Sequence, residues 1–410
     1  MTPAPTIEVG VSIERPTGTV RAGAAYMTER RGQLSVTFRY HSSYLELSDA
    51  RPISPELPLS ERSTTTMGLP GAMADGAPDR WGRNLVTKRL QSMAREAGRG
   101  PISIGEIDFL LGVADMTRQG DLRYHLDDGP YLADHADVPK LIELPRLLHA
   151  AALVDADGGL GDQIDGVKLL LDAGSGSLGG ARPKASVRDG DRLFIAKFPH
   201  RSDEWDVIAW EKTALDLAEA AGITVPDRRL VDVGGASVLL LERFDRVGLR
   251  RRGYMSAMTL LGRHDGDAAD YVEIAEAMAS VGARVGEDLE ELWRRIAFSI
   301  VMNNTDDHLR NHGFLFEGGG WALAPAFDVN PNPRLGERST SINYETAHPT
   351  TRGALVAAAP FFGVTATRAD EIWHEVVAAT TGWQGVARAN GISQREIVQF
   401  TDALDAHREG

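Results

Sequence analysis

The sequence predicts an α+β fold in three parts. These are a β-rich subdomain over residues 1–150, a mixed lobe over 151–250 and a mostly helical lobe over 251–410. Three observations predict it. Apolar residues alternate with period two near the start, in Ile7-Glu-Val-Gly-Val-Ser-Ile13 and Leu34-Ser-Val-Thr-Phe-Arg-Tyr40, as half-buried strands require. A glycine-rich run at 174–184 is followed by short apolar runs of strand length. From about residue 255 the apolar positions recur at helical spacing. The length of 410 residues suits two domains or one bilobal unit.

Taken in order, Arg31-Gly32 reads as a turn before the second strand, and Pro52, Pro55 and Pro58 read as an irregular loop. Pro78-Asp-Arg-Trp-Gly-Arg83 opens a helix to about Ala94, with Trp81, Leu85, Val86 and Leu90 on one face. Further helices are expected over Ile104–Val113 and Leu141–Val154, and Asp157-Gly-Gly-Leu-Gly161 marks a boundary. Ala185-Ser-Val187 and Leu193–Phe198 read as strands, and Glu204–Ala221 as a helix closed by Gly222 at C′. Leu230–Val233 and Ser237–Phe244 form a hairpin about a Gly-Gly turn. Helices over Tyr271–Ser280 and Leu289–Met302 precede a small hairpin, Gly313–Phe316 with Trp321–Ala324, and helices near 367–380 and 393–407 close the chain.

Net charge is −14 with a pI near 5.3. Such a surface repels DNA phosphates, so autonomous non-specific DNA binding is not expected. The cluster Arg243, Arg246, Arg250, Arg251 and Arg252 reads as a solvated loop, with a basic edge as the other reading. The chain has no cysteine, which removes thiolate chemistry and disulfides and fits a reducing compartment. The start lacks a basic and apolar leader pattern, and no apolar run reaches the roughly 20 residues that span a bilayer. The expectation is a cytoplasmic protein without membrane association.

The strongest chemical signal is Asn304-Thr-Asp-Asp-His-Leu-Arg-Asn311, followed by Ala324-Pro-Ala-Phe-Asp-Val-Asn330. Phosphoryl transfer needs one Asp to orient the nucleophile, and an Asn and a second Asp to hold Mg²⁺. Asp306 fits the first role, and Asn311 and Asp328 fit the second. His308 would fix the loop or contact phosphate. A rival reading takes His308 and His312, four apart, as zinc ligands. It is weakened by the missing Glu of the metalloprotease motif and by Arg310 inside the run. Upstream, Gly174–Gly180 could bring backbone N–H groups against phosphate oxygens. Lys197 at the end of an apolar strand could meet those phosphates, with Glu211 of the next helix orienting it. Leu239-Leu-Leu-Glu-Arg-Phe244 could serve as an adenine-reading hinge. Glycine-rich loop, strand Lys, helix Glu, hinge, catalytic loop and metal Asp occur in the order a kinase needs. The fold expected is therefore a protein-kinase-like bilobal core behind the β-rich subdomain.

The chain resembles the HipA family of serine/threonine kinases, the toxin halves of bacterial toxin–antitoxin pairs. The resemblance rests on Ser177-Leu-Gly-Gly-Ala-Arg-Pro-Lys184, Ile195-Ala-Lys-Phe-Pro199, Leu241-Glu-Arg-Phe-Asp-Arg246, the Asn304–Asn311 run and Leu323-Ala-Pro-Ala-Phe-Asp328. Gly32–Tyr40, Leu57-Pro-Leu59 and Asp108–Asp115 resemble the family's N-terminal subdomain. Where members carry a Leu-Leu-Pro-Glu-Gly type sequence, this chain has Pro78–Arg83, which marks a divergent branch. The resemblance implies Asp306 as catalytic base and Asn311 with Asp328 as Mg²⁺ ligands. It implies ATP contacts from Gly179, Gly180, Lys184 and Lys197, and a hinge at Glu242 and Phe244. Ser177 matches the loop serine that such kinases autophosphorylate, with Ser175 as a second candidate. Implied partners are a small helix-turn-helix antitoxin that carries the toxin to operator DNA and a protein substrate such as an aminoacyl-tRNA synthetase. The alternatives are a small-molecule phosphotransferase and a kinase-like co-repressor subunit.

Overall fold

The structure is a computed structural model that describes residues 5–127, 129–132, 138–155, 160–175, 180, 182–343 and 351–406, excepting the side chains of 160–162. The boundary run at 157–161, Gly179 and Ser177 thus fall wholly or partly outside the described residues. The chain forms two compact units: Met1–Ser202 with Val233–Ala236 and Asp245–Met255, and Asp203–Asp232 with Ser237–Phe244 and Ser256–Gly410.

The first unit opens on an antiparallel sheet of β1 (Thr6–Arg15), β2 (Gly18–Arg30), β3 (Gln33–Tyr40), β4 (Thr64–Met67) and β5 (Leu122–Leu126), ordered β4-β3-β2-β1-β5. Alternation places Val9, Val11, Val36 and Phe38 in its core. The expected turn at Arg31-Gly32 is present, but the strand before it was not anticipated: β2 spans 13 residues. Its buried side chains are mostly Ala22, Ala24, Ala25 and Met27, too small to give a strong apolar signal. Gly10 sits opposite His125 on β5, and a Cβ there would meet the imidazole at 2.1 Å. Any side chain at that position would have to displace the His125 ring.

Helix α1 (Arg80–Glu96) starts at Asp79, whose carboxylate accepts from Gly82 N at 2.7 Å as an N-cap. Helices α2 (Leu144–Asp155) and α3 (Leu160–Asp172) precede the hairpin of β6 (Lys184–Asp189) and β7 (Arg192–Lys197). In that hairpin Lys184 stands opposite Lys197. The arginine cluster corrects the expected solvated loop: Arg243 and Arg246 are buried, and so is the Arg251 side chain. Arg251 donates to Asp115 Oδ2 at 2.9 Å, and Arg246 to Asp245 Oδ2 and to the Arg118 carbonyl at 2.6 Å each. These arginines tie the 246–251 hairpin to the rest of the first unit.

In the second unit, α4 (Val207–Ala220) is capped by Asp206, which accepts from Ala209 N at 2.9 Å. It ends at a left-handed Gly222 (φ +80°), with Ile223 N bonded to Ala218 O at 2.9 Å, the expected glycine C′ closure. Strands β8 (Arg228–Val233) and β9 (Ala236–Glu242) follow. The helical part contains α5 (Tyr271–Val281), α6 (Val285–Val301), the hairpin β10 (Gly313–Glu317) and β11 (Gly320–Leu323), and α7 (Ala366–Thr380), α8 (Trp383–Ala389) and α9 (Gln394–Asp405). Its core centres on Trp210, Trp293, Trp373 and Trp383, with Trp210 stacked on Phe400 at 3.8 Å between ring centroids. Among the described residues no helix is long and apolar enough to cross a membrane.

Candidate active site

The site is built where α6 stops. Asn303 takes a left-handed conformation (φ +47°), with its N–H bonded to Ile300 O at 3.1 Å and Asn304 N to Ser299 O at 2.9 Å. This is a Schellman closure with Asn in the place usually taken by Gly. The Asn303 side chain then donates to the carbonyls of Asn332 at 2.6 Å and Arg334 at 3.0 Å. Asn332 returns its own N–H to Asn303 O at 3.1 Å and its amide to Thr305 Oγ1 at 3.0 Å. Four hydrogen bonds thus join the 303–305 turn to the segment that begins at Asp328.

The two adjacent aspartates separate cleanly. Asp306 is exposed and Asp307 is buried. The Asp306 main-chain carbonyl accepts from Asn311 Nδ2 at 3.0 Å and from His308 N at 3.1 Å, which curls the loop back on itself. Asn311 is buried, and with Nδ2 engaged its amide oxygen faces away as an acceptor. Asp307 accepts from Tyr271 Oη at 2.6 Å and Ser299 Oγ at 3.1 Å. His312 Nε2 lies 3.1 Å from Asp307 Oδ1 but off the line of a good hydrogen bond, so that contact is mainly electrostatic. Burial alone would raise the Asp307 pKa. The attraction of His312, the Tyr271 hydrogen bond and the charge of Arg338 outweigh it and hold the carboxyl well below the usual range. Burial and the Asp307 charge push the Tyr271 phenol up.

Asp328 follows the β10–β11 hairpin, as its spacing predicts, and is itself left-handed (φ +58°). Left-handed non-glycine residues are uncommon and cluster at functional sites. Its Oδ1 lies 3.4 Å from Asn330 Nδ2. Around the loop, Asn304 Oδ1, His308 Nδ1 and Asn330 Oδ1 are buried without a hydrogen-bond partner among the described residues. Sequence reasoning passed over Asn304 and Asn330 as part of a polar run. Phe244 packs against Phe327 at 5.4 Å, and Glu242 N bonds to Asp227 O at 2.8 Å.

Asn311 and Asp328 offer amide and carboxylate oxygens, the donor set a hard divalent cation takes. The zinc pair separates: His312 faces Asp307, while His308 turns an unpartnered Nδ1 into the loop. No group of three His, Asp or Glu able to hold a metal is found among the described residues.

The remaining expected residues divide between the units. Glu211 is buried on α4 in the second unit, not exposed on a helix face. Lys197 is buried at the end of β7 in the first unit. Lys184 is also buried, with Nζ 2.8 Å from Asp79 Oδ2. Gly180 is left-handed and exposed. Ser175 is fully buried, and its hydroxyl donates to the Lys184 carbonyl.

The fold is α+β and kinase-like. A family model described as the HipA-like C-terminal domain matches residues 176–383, and one described as the HipA N-terminal domain matches residues 18–99. The chain belongs to the HipA family. A Sinorhizobium fredii protein provisionally named a kinase, Y4dM, is 25% identical over 265 residues, which is 53% of this chain and 64% of the relative. The chain thus matches less than two thirds of that relative's length. Among solved structures, HipA of Shewanella oneidensis MR-1, determined in a complex of a toxin–antitoxin system with HipB and operator DNA, superposes with a TM-score of 0.65 at 15% identity. It covers 97% of this chain and 95% of that one. This likeness is one of fold.

Proposed function

We propose that the chain is a Mg-ATP-dependent serine/threonine protein kinase, the toxin of a HipA/HipB-like module. The observation that carries this reading is the loop 303–311. It leaves one carboxylate, Asp306, in solvent, buries its neighbour, and is hydrogen-bonded to the segment bearing Asp328. Asp306 acts as the base that orients the substrate hydroxyl. His308 lies beside it in the same loop and fixes the loop or meets phosphate. Asn311 and Asp328 hold Mg²⁺, which when bound neutralises charge on the transferring phosphate. Lys197 contacts phosphate, with Glu211 as its orienting carboxylate. Glu242 and Phe244 read the adenine, and the loop with Gly179 and Gly180 covers the phosphates. Lys184 joins them only by exchanging Asp79 for phosphate.

Autophosphorylation is assigned to Ser177, since Ser175 is buried and hydrogen-bonded. A phosphate on Ser177 adds close to two negative charges, which opposes binding of ATP by the same loop and silences the kinase. The partner is a small helix-turn-helix antitoxin, which supplies the DNA contact that a net charge of −14 disfavours. The substrate is a translation protein such as an aminoacyl-tRNA synthetase, and the place of action is the cytoplasm. The test is mass spectrometry of purified protein incubated with Mg-ATP, beside Asp306→Asn. Phosphate on Ser177 in the unsubstituted protein alone is expected. No phosphate in either sample overturns the kinase reading.

A further inference from the structure

Resting on that kinase reading, we propose that Asp307 is a positioning residue. Its buried carboxylate gathers α5, α6 and the β10 approach, its main-chain carbonyl takes the 338–340 segment, and together they fix where Asp306 points. Four separate parts of the second unit converge on this one residue. Tyr271 on α5 donates to Oδ2 at 2.6 Å, and Ser299 on α6 donates to the same oxygen at 3.1 Å. His312, just before β10, faces Oδ1 at 3.1 Å. The main-chain carbonyl of Asp307 accepts from Thr340 Oγ1 at 2.6 Å.

The 338–340 segment also holds the residues on either side. Arg338 donates to Asn304 O at 3.1 Å and to Ser299 Oγ at 2.9 Å, and Ser339 N donates to Thr305 O at 3.0 Å. The carbonyls of Asn304, Thr305 and Asp307 are therefore each held by the 338–340 segment, and Asp306 is the residue left facing water, with Ser339 Oγ at 3.5 Å from its Oδ1. The Asp307 side chain faces the interior while that of Asp306, one residue before it, faces solvent. A carboxylate with two hydroxyl donors and an imidazole at 3.1 Å in a buried setting has a narrow choice of position. A base on a loop without such an anchor would sample many orientations, and a misplacement of about 1 Å can cost about 100-fold in rate.

The test uses the full chain with Tyr271→Phe, which removes one hydroxyl from the anchor, and Asp307→Asn, which keeps its shape. Phosphate incorporation from Mg-ATP gives the saturating rate and the KM, and calorimetry with the magnesium complex of a non-hydrolysable ATP analogue gives the affinity. Hydrogen exchange reads the amides of 305–311. The expected result is a fall in the saturating rate of about 100-fold for Asp307→Asn and about 10-fold for Tyr271→Phe. Nucleotide affinity stays within about threefold, and loop exchange quickens. Rates equal to the unsubstituted protein would overturn the proposal. So would loss of rate, affinity and melting temperature together in Tyr271→Phe, which is the mark of a structural role only. If the unsubstituted protein transfers no phosphate, the kinase reading fails by itself. Loop exchange then decides the anchor, and unchanged exchange in both variants overturns it.

Discussion

Two buried ionic networks invite comparison. In the first unit, Asp115 receives Arg123 Nη2 at 2.5 Å and Arg251 Nη2 at 2.9 Å, and Glu14 Oε1 accepts from Arg251 N at 3.0 Å. In the second, Asp307 is held by a phenol, a hydroxyl and an imidazole. Both put a carboxylate where water cannot reach it, at a desolvation cost that only close partners offset. They differ in what adjoins them. Asp115 is gripped by guanidinium groups that neutralise it and weld a hairpin to a sheet. Asp307 has an exposed carboxylate one residue before it, unpartnered acceptors on Asn304 and Asn330, and left-handed Asn303 and Asp328 nearby. Buried charge alone marks stability. Here the buried charge lies beneath an exposed carboxylate and beside buried acceptors that lack a hydrogen-bond partner among the described residues.

The sharpest way to break this comparison is to exchange effects between the two places. Asp306→Asn should lower phosphate transfer by about 10²–10⁴-fold while shifting stability by no more than about 0.5 kcal/mol, read by kinase assay and urea unfolding on one sample. Asp115→Ala should do the opposite. Taking Asp115 from the buried Arg251 guanidinium and the half-buried Arg123, with Glu14 remaining at 3.4 and 3.8 Å from them, costs about 3 kcal/mol, a loss seen in the urea midpoint of the first unit. An Asp115 variant of undiminished stability would show that the welding role is wrong.

Acid distinguishes the networks further. The Asp307 pKa is depressed in the folded chain, so its contribution to stability is whole above the unfolded value of about 3.9 and is lost as pH falls below it. Asp216 and Glu375 are lowered too, so the measurement is a difference. Asp307→Asn should flatten the loss of stability between about pH 4.5 and pH 2.5, and an unchanged slope would refute the assignment. The smallest effect is expected at Asn303→Gly. Glycine suits the left-handed turn, but the two carbonyls of Asn332 and Arg334 lose their donor, and the net cost is about 1 kcal/mol.

Much of this was legible in the chain. The alternation of β1 and β3, the helix from Arg80, the glycine after α4, the β10–β11 hairpin and the Asn304–Asn311 run all declare themselves through local periodicity and turn chemistry. These signals are local because hydrogen-bond geometry and φ preferences act within a few residues. Strand β2 was not legible, since alanine and glycine carry little apolar signal even where a sheet buries them.

Other outcomes were settled by residues far away in sequence. Arg246 and Arg251 look like a solvated basic run until Asp115, Arg118 O and Glu14 come within reach. Lys184 and Ser175 look like parts of an open loop until Asp79 and the Lys184 carbonyl engage them. Asp306 and Asp307 are the same residue type in adjacent places, and local periodicity does not tell which of them is buried. Tyr271, Ser299, His312 and Thr340 make one the anchor and leave the other in water. Local signals in the chain define most of the elements, though not β2, and the chemical inventory of the site. Tertiary structure decided which charges are buried, because desolvation and its compensation depend on partners that only folding brings together.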